Sequence, residues 1–213
     1  MEIFKYDSPF SQLFIRIADV VILNVLYLLC CIPIFTIGAA QAGMYTAAKV
    51  MLDKEDDTSL TQAFFRGFKA GFGTITVSWG IVTLVLSFVL WVGVAAFMLG
   101  AAFWPVAIAL VVIATYQTAL PLFHSRFGSN IKMLMRNTLF FVLGYPLPCL
   151  GVALLQLGPI LAFAFLDLYT FMAMTPIWLL FYYATAMIFG YVFVRKPFDT
   201  LIAQLPSEEA EAE

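Results

Sequence analysis

The side chains of this sequence that could do acid–base, nucleophilic or metal chemistry are few and scattered. His124 is the single histidine, and the three cysteines, Cys30, Cys31 and Cys149, all lie in apolar runs. No Cys/His spacing matches a zinc site, and neither a GxSxG, an HExxH nor a phosphate-binding glycine loop is present. The sequence therefore predicts no catalytic centre, no metal site and no cofactor.

Polar residues inside the apolar runs are the next place to look for function, because such residues are expensive in a bilayer. The apolar runs contain the side chains of Asn24, Thr36, Gln41, Gln117, Thr118 and Gln156, with Asp167 at an edge. No charge lies at the centre of a run, which disfavours a proton-coupled carrier. Asn24 and Gln117 could bond the hydroxyls of a sugar, but bonds across helices are the commoner use of such amides.

The composition explains why these residues are so few. Hydrophobic residues make up 63% of the 213 residues and charged residues 11%, whereas soluble domains average about 45–50% and 25%. This composition indicates an integral membrane protein whose first partner is the lipid bilayer. It provides no basic surface large enough for nucleic acid.

The charge-free runs predict an all-α membrane helix bundle in one domain, residues 1–206, followed by a disordered acidic tail, residues 207–213. About 20 apolar residues cross a bilayer, and Gly100 with Pro105 predicts a turn that divides the longest run into a hairpin. About five transmembrane helices are expected, near Val20–Gly38, Thr74–Leu99, Pro105–Phe123, Thr138–Leu157 and Thr170–Val194.

The distribution of Lys and Arg predicts the orientation. Nine of the eleven basic residues follow the first, third and fifth spans, and Lys5 and Arg16 are the exceptions. The positive-inside rule then places the C-terminus in the cytoplasm and the N-terminus outside. If Val20–Ala48 instead enters and returns at Pro33, four helices span and both termini are inside.

Two segments predict cytoplasmic interfacial amphipathic helices. In the first, Ser59 can cap a helix that presents Phe65 and Phe68 to the headgroup region and Lys69 to lipid phosphates. In the second, Lys132 and Arg136 lie four residues apart on one face. Both helices are expected to anchor the bundle, with docking of a partner or lipid as the functional alternative.

The stretch LLCCIPIFTIGAAQAG predicts a first helix broken at Pro33, which removes a backbone donor. Thr36 can satisfy a carbonyl freed by the break. After the break, Ala39, Gly43 and Ala47 recur every four residues and allow close helix packing. A cleaved signal peptide ending near Gly38 fits poorly, because the apolar stretch is long and interrupted.

The chain resembles the YesL family of bacterial integral membrane proteins in three stretches. They are Asn24 followed by CIPIFTIGAAQAGMY, then FFRGFKAGFGTITVSW, and LMRNTLFFVLGYPLP. The family has no established activity, and its members are often encoded beside carbohydrate uptake transporters of the ABC type, so the resemblance implies a link to sugar transport. The residues singled out as structurally or functionally important are Asn24, Pro33, Thr36, Gly38, Gly43, Phe65, Phe68, Lys69, Gln117, Arg136, Asn137 and Pro146.

The sequence leaves three functions open. The first is an accessory or regulatory component of the bacterial cell membrane that binds an ABC permease. The second is a small permease or channel that acts as a homo-oligomer, which kinked helices near Pro33 and Pro146 favour. An intramembrane enzyme is the third, and almost no residue supports it.

Overall fold

The chain folds into helices alone in the part that the structure describes. This computed structural model describes residues 9–53, 58–100, 103–128 and 130–203, and those ranges contain no strand. The all-α prediction is therefore confirmed. The predicted acidic tail lies outside the described residues.

The first helix is broken at Pro33, as predicted. Helix α1 (Pro9–Cys30) ends just before the proline, a 3₁₀ turn (Ile34–Thr36) follows, and α2 (Ile37–Asp53) then begins. The Thr36 hydroxyl lies 2.5 Å from the Cys30 carbonyl oxygen and 2.6 Å from that of Pro33. It therefore supplies the donor that the interrupted helix lacks.

Helix α2 is the central element of the bundle, and its small residues allow α3 (Leu60–Met98) to approach it closely. Ala39, Gly43 and Ala47 are all buried, as the small-residue spacing predicts. A Cβ atom on Gly43 would come within 2.7 Å of the backbone oxygen of Phe64. A Cβ atom on Gly67 of α3 would likewise clash with the side chain of Thr46 on α2. Glycines from both helices thus create this contact, whereas the sequence pattern pointed only to those of α2.

Helix α3 corrects the prediction of a separate interfacial helix before the second span. The two form one continuous helix of 39 residues, about 58 Å long at 1.5 Å per residue. Ser59 caps it, accepting a bond from the backbone N–H of Gln62 at 3.4 Å. Phe65 is exposed as expected, but Phe68 packs partly against the core. Packing on α2 keeps the first turns of α3 in line with the rest.

The predicted hairpin between the second and third spans is present. Helix α3 ends at Met98, Gly100 has a φ of +71° in the turn, and α4 (Trp104–Phe127) begins with Pro105 in its first turn. A positive φ favours glycine because it has no Cβ.

The predicted fourth span, Thr138–Leu157, is not one helix. Helix α5 (Ile131–Gly144) and α6 (Pro146–Gln156) meet at an angle of 106°. Pro146 opens α6, and the residue before a proline is sterically driven out of the helical region. The sharp bend makes α5 a separate helix, as the second amphipathic prediction required.

The last part of the chain contains short helices and one long one. Helices α7 (Gly158–Phe165) and α8 (Leu168–Ala173) precede a continuous stretch formed by α9 (Thr175–Ile177), a π-helical turn (Trp178–Tyr182) and α10 (Tyr183–Ala203). Asp167 caps α8, with its carboxylate 2.9 Å from the backbone N–H of Thr170. The predicted fifth span therefore begins later than expected and extends to Ala203.

In the described ranges, three helices are long and apolar enough to cross a membrane: Leu60–Met98, Trp104–Phe127 and Thr175–Ala203. The bent pair α5 and α6 makes a fourth if it is one broken span. Helix α1 is not among them, so the count is lower than the predicted five. The four-span alternative matches the upper count.

Candidate functional site: the basic end of the bundle

The residues singled out from the sequence do not converge on one site. Asn24, Thr36, Gly38, Gly43 and Gln117 are buried inside the bundle. Nearer the end of the bundle where α3 begins and α4 ends lie Phe65, Phe68, Lys69, Arg136 and Asn137, while Pro33 and Pro146 lie at the two bends. The buried residues inside the bundle and the residues near its end therefore do not form a single site.

Asn24 ties α1 to the π-helical turn. Its side-chain nitrogen donates to the Leu179 carbonyl oxygen at 2.6 Å, and its oxygen accepts from the Ala184 N–H at 2.8 Å. The backbone hydrogen-bond pattern of a helix is often irregular where a side chain inserts between its backbone groups. The expected bond across helices is present, and Asn24 is fully buried, so its side chain does not face an open path.

The other interior amides are also bonded within the bundle. Gln117 of α4 donates to the Thr83 hydroxyl of α3 at 2.7 Å. Gln156 of α6 donates to the Tyr45 hydroxyl at 2.5 Å and accepts from Gln41 of α2 at 3.2 Å. These amides therefore hold helices together and do not line an open polar path.

Among the described residues, ion pairs linked to one another form a cluster centred on Asp53, which was not predicted from the sequence. This carboxylate ends α2, and its side chain is 6% exposed. One oxygen accepts bonds from Arg126 of α4 at 3.1 Å and from the Tyr191 hydroxyl at 2.9 Å. The other oxygen lies 3.0 Å from Arg195 of α10, in an ion pair without hydrogen-bond geometry.

The Asp53 cluster fixes the ends of three helices to one another. A carboxylate at a helix C-terminus is repelled by the helix dipole, and a buried carboxylate needs a partner. Both requirements are met by the guanidinium of Arg126, which also lies 3.6 Å from Asp199. We call the part of the bundle around this cluster the basic end. It comprises the last turns of α2, α4 and α10 and the first turns of α3 and α5.

An aromatic cleft opens beside this cluster, between α4, α5 and the end of α10. Its volume is about 390 Å³. Its floor is a set of buried rings, in which Phe141 and Phe198 stack at 4.8 Å between centroids. The Tyr116 hydroxyl of α4 donates to the Met135 carbonyl oxygen of α5 at 2.8 Å and holds α5 in place. Asn137 is the one amide side chain among the cleft-lining residues.

The described residues contain no group of three or more His, Cys, Asp or Glu side chains that could hold a metal ion. His124 is half-buried beside Gly71, and the three cysteines are unpaired. Nothing in this geometry pairs a nucleophile with a base. The basic end provides charged groups and an apolar cleft, and this combination is suited to binding a ligand or partner.

The signal for Asp53 was present in the sequence but ambiguous. It begins the run Asp53-Lys54-Glu55-Asp56-Asp57, which is typical of a solvated loop. Its position directly after the buried residues of α2, together with arginines at the ends of two other apolar runs, could have indicated a pairing. Nothing in a single sequence states which arginine meets which acid.

Comparison with known proteins agrees with the resemblance seen in the sequence. Residues 20–94 match the model of the family described as "Protein of unknown function, DUF624". No curated protein and no solved structure matches the chain. The matched segment runs from α1 through the buried α2 into α3, and includes Asn24, Pro33 and the close glycine packing. Over residues 20–94 the chain is therefore similar to the DUF624 family, to which the YesL proteins belong.

Proposed function

We propose that this protein is a non-enzymatic accessory or regulatory component of a carbohydrate ABC transport system in the bacterial cell membrane, with its C-terminus in the cytoplasm. The orientation rests on the positive-inside rule, which would make the basic end cytoplasmic. The link to carbohydrate transport rests on the family resemblance alone, which is an association.

The observation that carries the proposal is an exposed face on the first turns of α3. Phe65, Lys69 and Phe72 lie at i, i+4 and i+7, and all three are exposed. Residues at this spacing share one side of a helix, which is how an amphipathic helix presents anchors to a partner. Aromatic side chains are enriched at protein interfaces, which makes Phe65 and Phe72 the candidate anchors of this face.

The rigidity of this face supports a binding role. Helix α3 is one continuous element, and Gly67 on its opposite side packs directly against α2. Helix α2 is in turn tied through Asp53 to α4 and α10. A partner docked on α3 would therefore meet a surface that is already ordered, which lowers the entropic cost of binding.

The bonded interior amides weigh against the permease alternative. A sugar path needs polar groups free to replace water around hydroxyls. Asn24, Gln117 and Gln156 instead bond protein groups. Uptake of labelled sugar by sealed vesicles that contain only this protein would favour the permease and overturn the accessory role.

Co-purification tests the proposal directly. The tagged full-length protein, isolated from native membranes in mild detergent, should bring with it an ABC permease identified by mass spectrometry. Phe65→Ala/Phe72→Ala should reduce the recovered permease at least tenfold. The matched control is Phe88→Ala, which removes a ring of 63% exposure from the apolar middle of α3 and should leave recovery unchanged. A wild-type protein that purifies without a permease would refute the proposal.

A further inference from the structure

We propose that the aromatic cleft between α4, α5 and α10 binds one acyl chain of an anionic phospholipid whose phosphate rests against Lys132 and Arg136. This site is separate from the exposed face of α3, and it stands whether or not the protein binds a transporter. The ligand class follows from the shape, lining and charge of the cleft.

The cleft has the size and lining of a ligand site and is not a packing defect. At about 390 Å³ it falls within the range of about 300–1,000 Å³ for such pockets. Its walls are mostly rings and aliphatic groups, among them Phe123, Phe127, Met133, Phe140 and Tyr145. Phe140 and Met133 are 65% and 51% exposed. An apolar cleft open on one side, in a protein whose solvent is lipid, is suited to an acyl chain.

The geometry of the chain around the cleft keeps it open. Gly128 ends α4 with a φ of +46°, and a Cβ there would meet nothing within 4 Å. Helix α5 then turns by 106° away from α6, and the rings beneath it are already stacked on each other. No side chain of the described residues fills the space under α5.

Positive charge lies beside the cleft, and the exposed carboxylate of Asp199 on α10 faces Arg126 at 3.6 Å. Lys132 and Arg136 are exposed, and each immediately precedes a cleft-lining residue, Met133 and Asn137. No acidic residue occurs between Asp57 and Asp167 in the sequence. The nearby carboxylate of Asp53 is already bonded to Arg126 and Tyr191. Basic pockets between membrane helices bind anionic headgroups in this way.

Asn137 places a polar group where the headgroup would meet the acyl chain. Its amide has no hydrogen-bond partner among the described residues, although the side chain is half-buried in the cleft wall. The ester carbonyls of a phospholipid lie between phosphate and acyl chain and can accept bonds from such an amide. Along α5 the order from Lys132 and Arg136 to Asn137 and then to Phe140 and Phe141 follows the order of groups in a phospholipid.

The test is the retention of defined lipids by the full-length protein. Protein in mixed phosphatidylglycerol and phosphatidylcholine is diluted into neutral detergent, and retained lipid is counted by native mass spectrometry. Wild type should keep one phosphatidylglycerol at least tenfold more often than phosphatidylcholine. Lys132→Gln/Arg136→Gln should abolish the preference, whereas the control of equal charge change, Arg16→Gln/Lys196→Gln at two other exposed positions, should keep it.

A second pair of variants tests the cleft itself. Asn137→Phe adds a ring to the cleft and should reduce retention of either lipid at least fivefold. Leu139→Phe makes the same addition on another face of α5 and should not. Equal retention of the two lipids by wild type, or unchanged retention in Asn137→Phe, would overturn the proposal. So would a cleft filled by a second copy, seen as a dimer that Asn137→Phe dissociates while lipid retention is unchanged.

Discussion

The Asp53 cluster gives the sharpest stability prediction, through the substitution Asp53→Asn. The change keeps the shape of the side chain and removes its charge. Arg126, whose side chain is 12% exposed, then remains buried without its main counter-ion. Removing one partner of a buried ion pair costs about 3–5 kcal/mol.

Three features of the cluster place the expected loss near the low end of that range. Arg195 is 48% exposed and can turn to water, so its pair contributes about 0–1 kcal/mol. Arg126 keeps a bond to the Tyr191 hydroxyl at 3.0 Å and the more distant Asp199. We therefore expect Asp53→Asn to lower the free energy of unfolding by about 3 kcal/mol.

The assay is equilibrium unfolding of the full-length protein in mixed micelles, followed by tryptophan fluorescence. Asp199→Asn is the matched control, because Asp199 is 58% exposed and 3.6 Å from Arg126, and it should cost less than about 1 kcal/mol. Adding Arg126→Gln to Asp53→Asn should recover at least about 1 kcal/mol, since the uncompensated cation is gone. An Asp53→Asn loss no larger than that of Asp199→Asn would refute the reasoning.

Three further predictions concern other parts of the bundle. Gly43→Ala should lower the free energy of unfolding by about 1–3 kcal/mol, because the new Cβ would lie 2.7 Å from a backbone oxygen of α3. Gly73→Ala places its Cβ where nothing lies within 4 Å, so it should be neutral or stabilising in the same unfolding assay. Asn24→Leu leaves the buried Ala184 N–H without its acceptor and the Leu179 carbonyl without its donor, and should cost about 1–3 kcal/mol, more than Gln117→Leu; equal losses would contradict the bridging role. Bonds from the backbone N–H of the α8 first turn lower the pKa of Asp167, so its cap is fully present above about pH 4 and is lost as the pH falls through the lowered pKa. Hydrogen exchange of the α8 amides, corrected for its intrinsic pH dependence, should show this acid loss in wild type and not in Asp167→Ala.

Local signals in the sequence were enough to place the breaks and caps. Pro33 and Thr36, the turn at Gly100, and the cap at Ser59 each act within a few residues of their own position. Their effects follow from backbone sterics and nearby hydrogen bonds. They could therefore be predicted without knowing how the helices pack.

Features that depend on tertiary contacts could not be predicted in this way. The first turns of α3 looked like a separate surface helix because Arg66 and Lys69 interrupt the apolar pattern. Packing of Gly67 on α2 keeps them in line with the span. Asp53 and its partners are far apart in sequence, with separations of 73 residues to Arg126 and 138 to Tyr191. Such pairings are set by helix register, which one sequence does not specify.

The bond between Asn24 and the π-helical turn has a consequence for how the chain is made. The partners of Asn24 are 155 and 160 residues further along, which corresponds to roughly 10–30 s of synthesis. Throughout that interval the amide of α1 lacks the backbone groups it bonds in the finished protein. Helix α1 therefore reaches its final hydrogen bonding only after Leu179 and Ala184 have been synthesised, and a chain that ends before Leu179 never completes it.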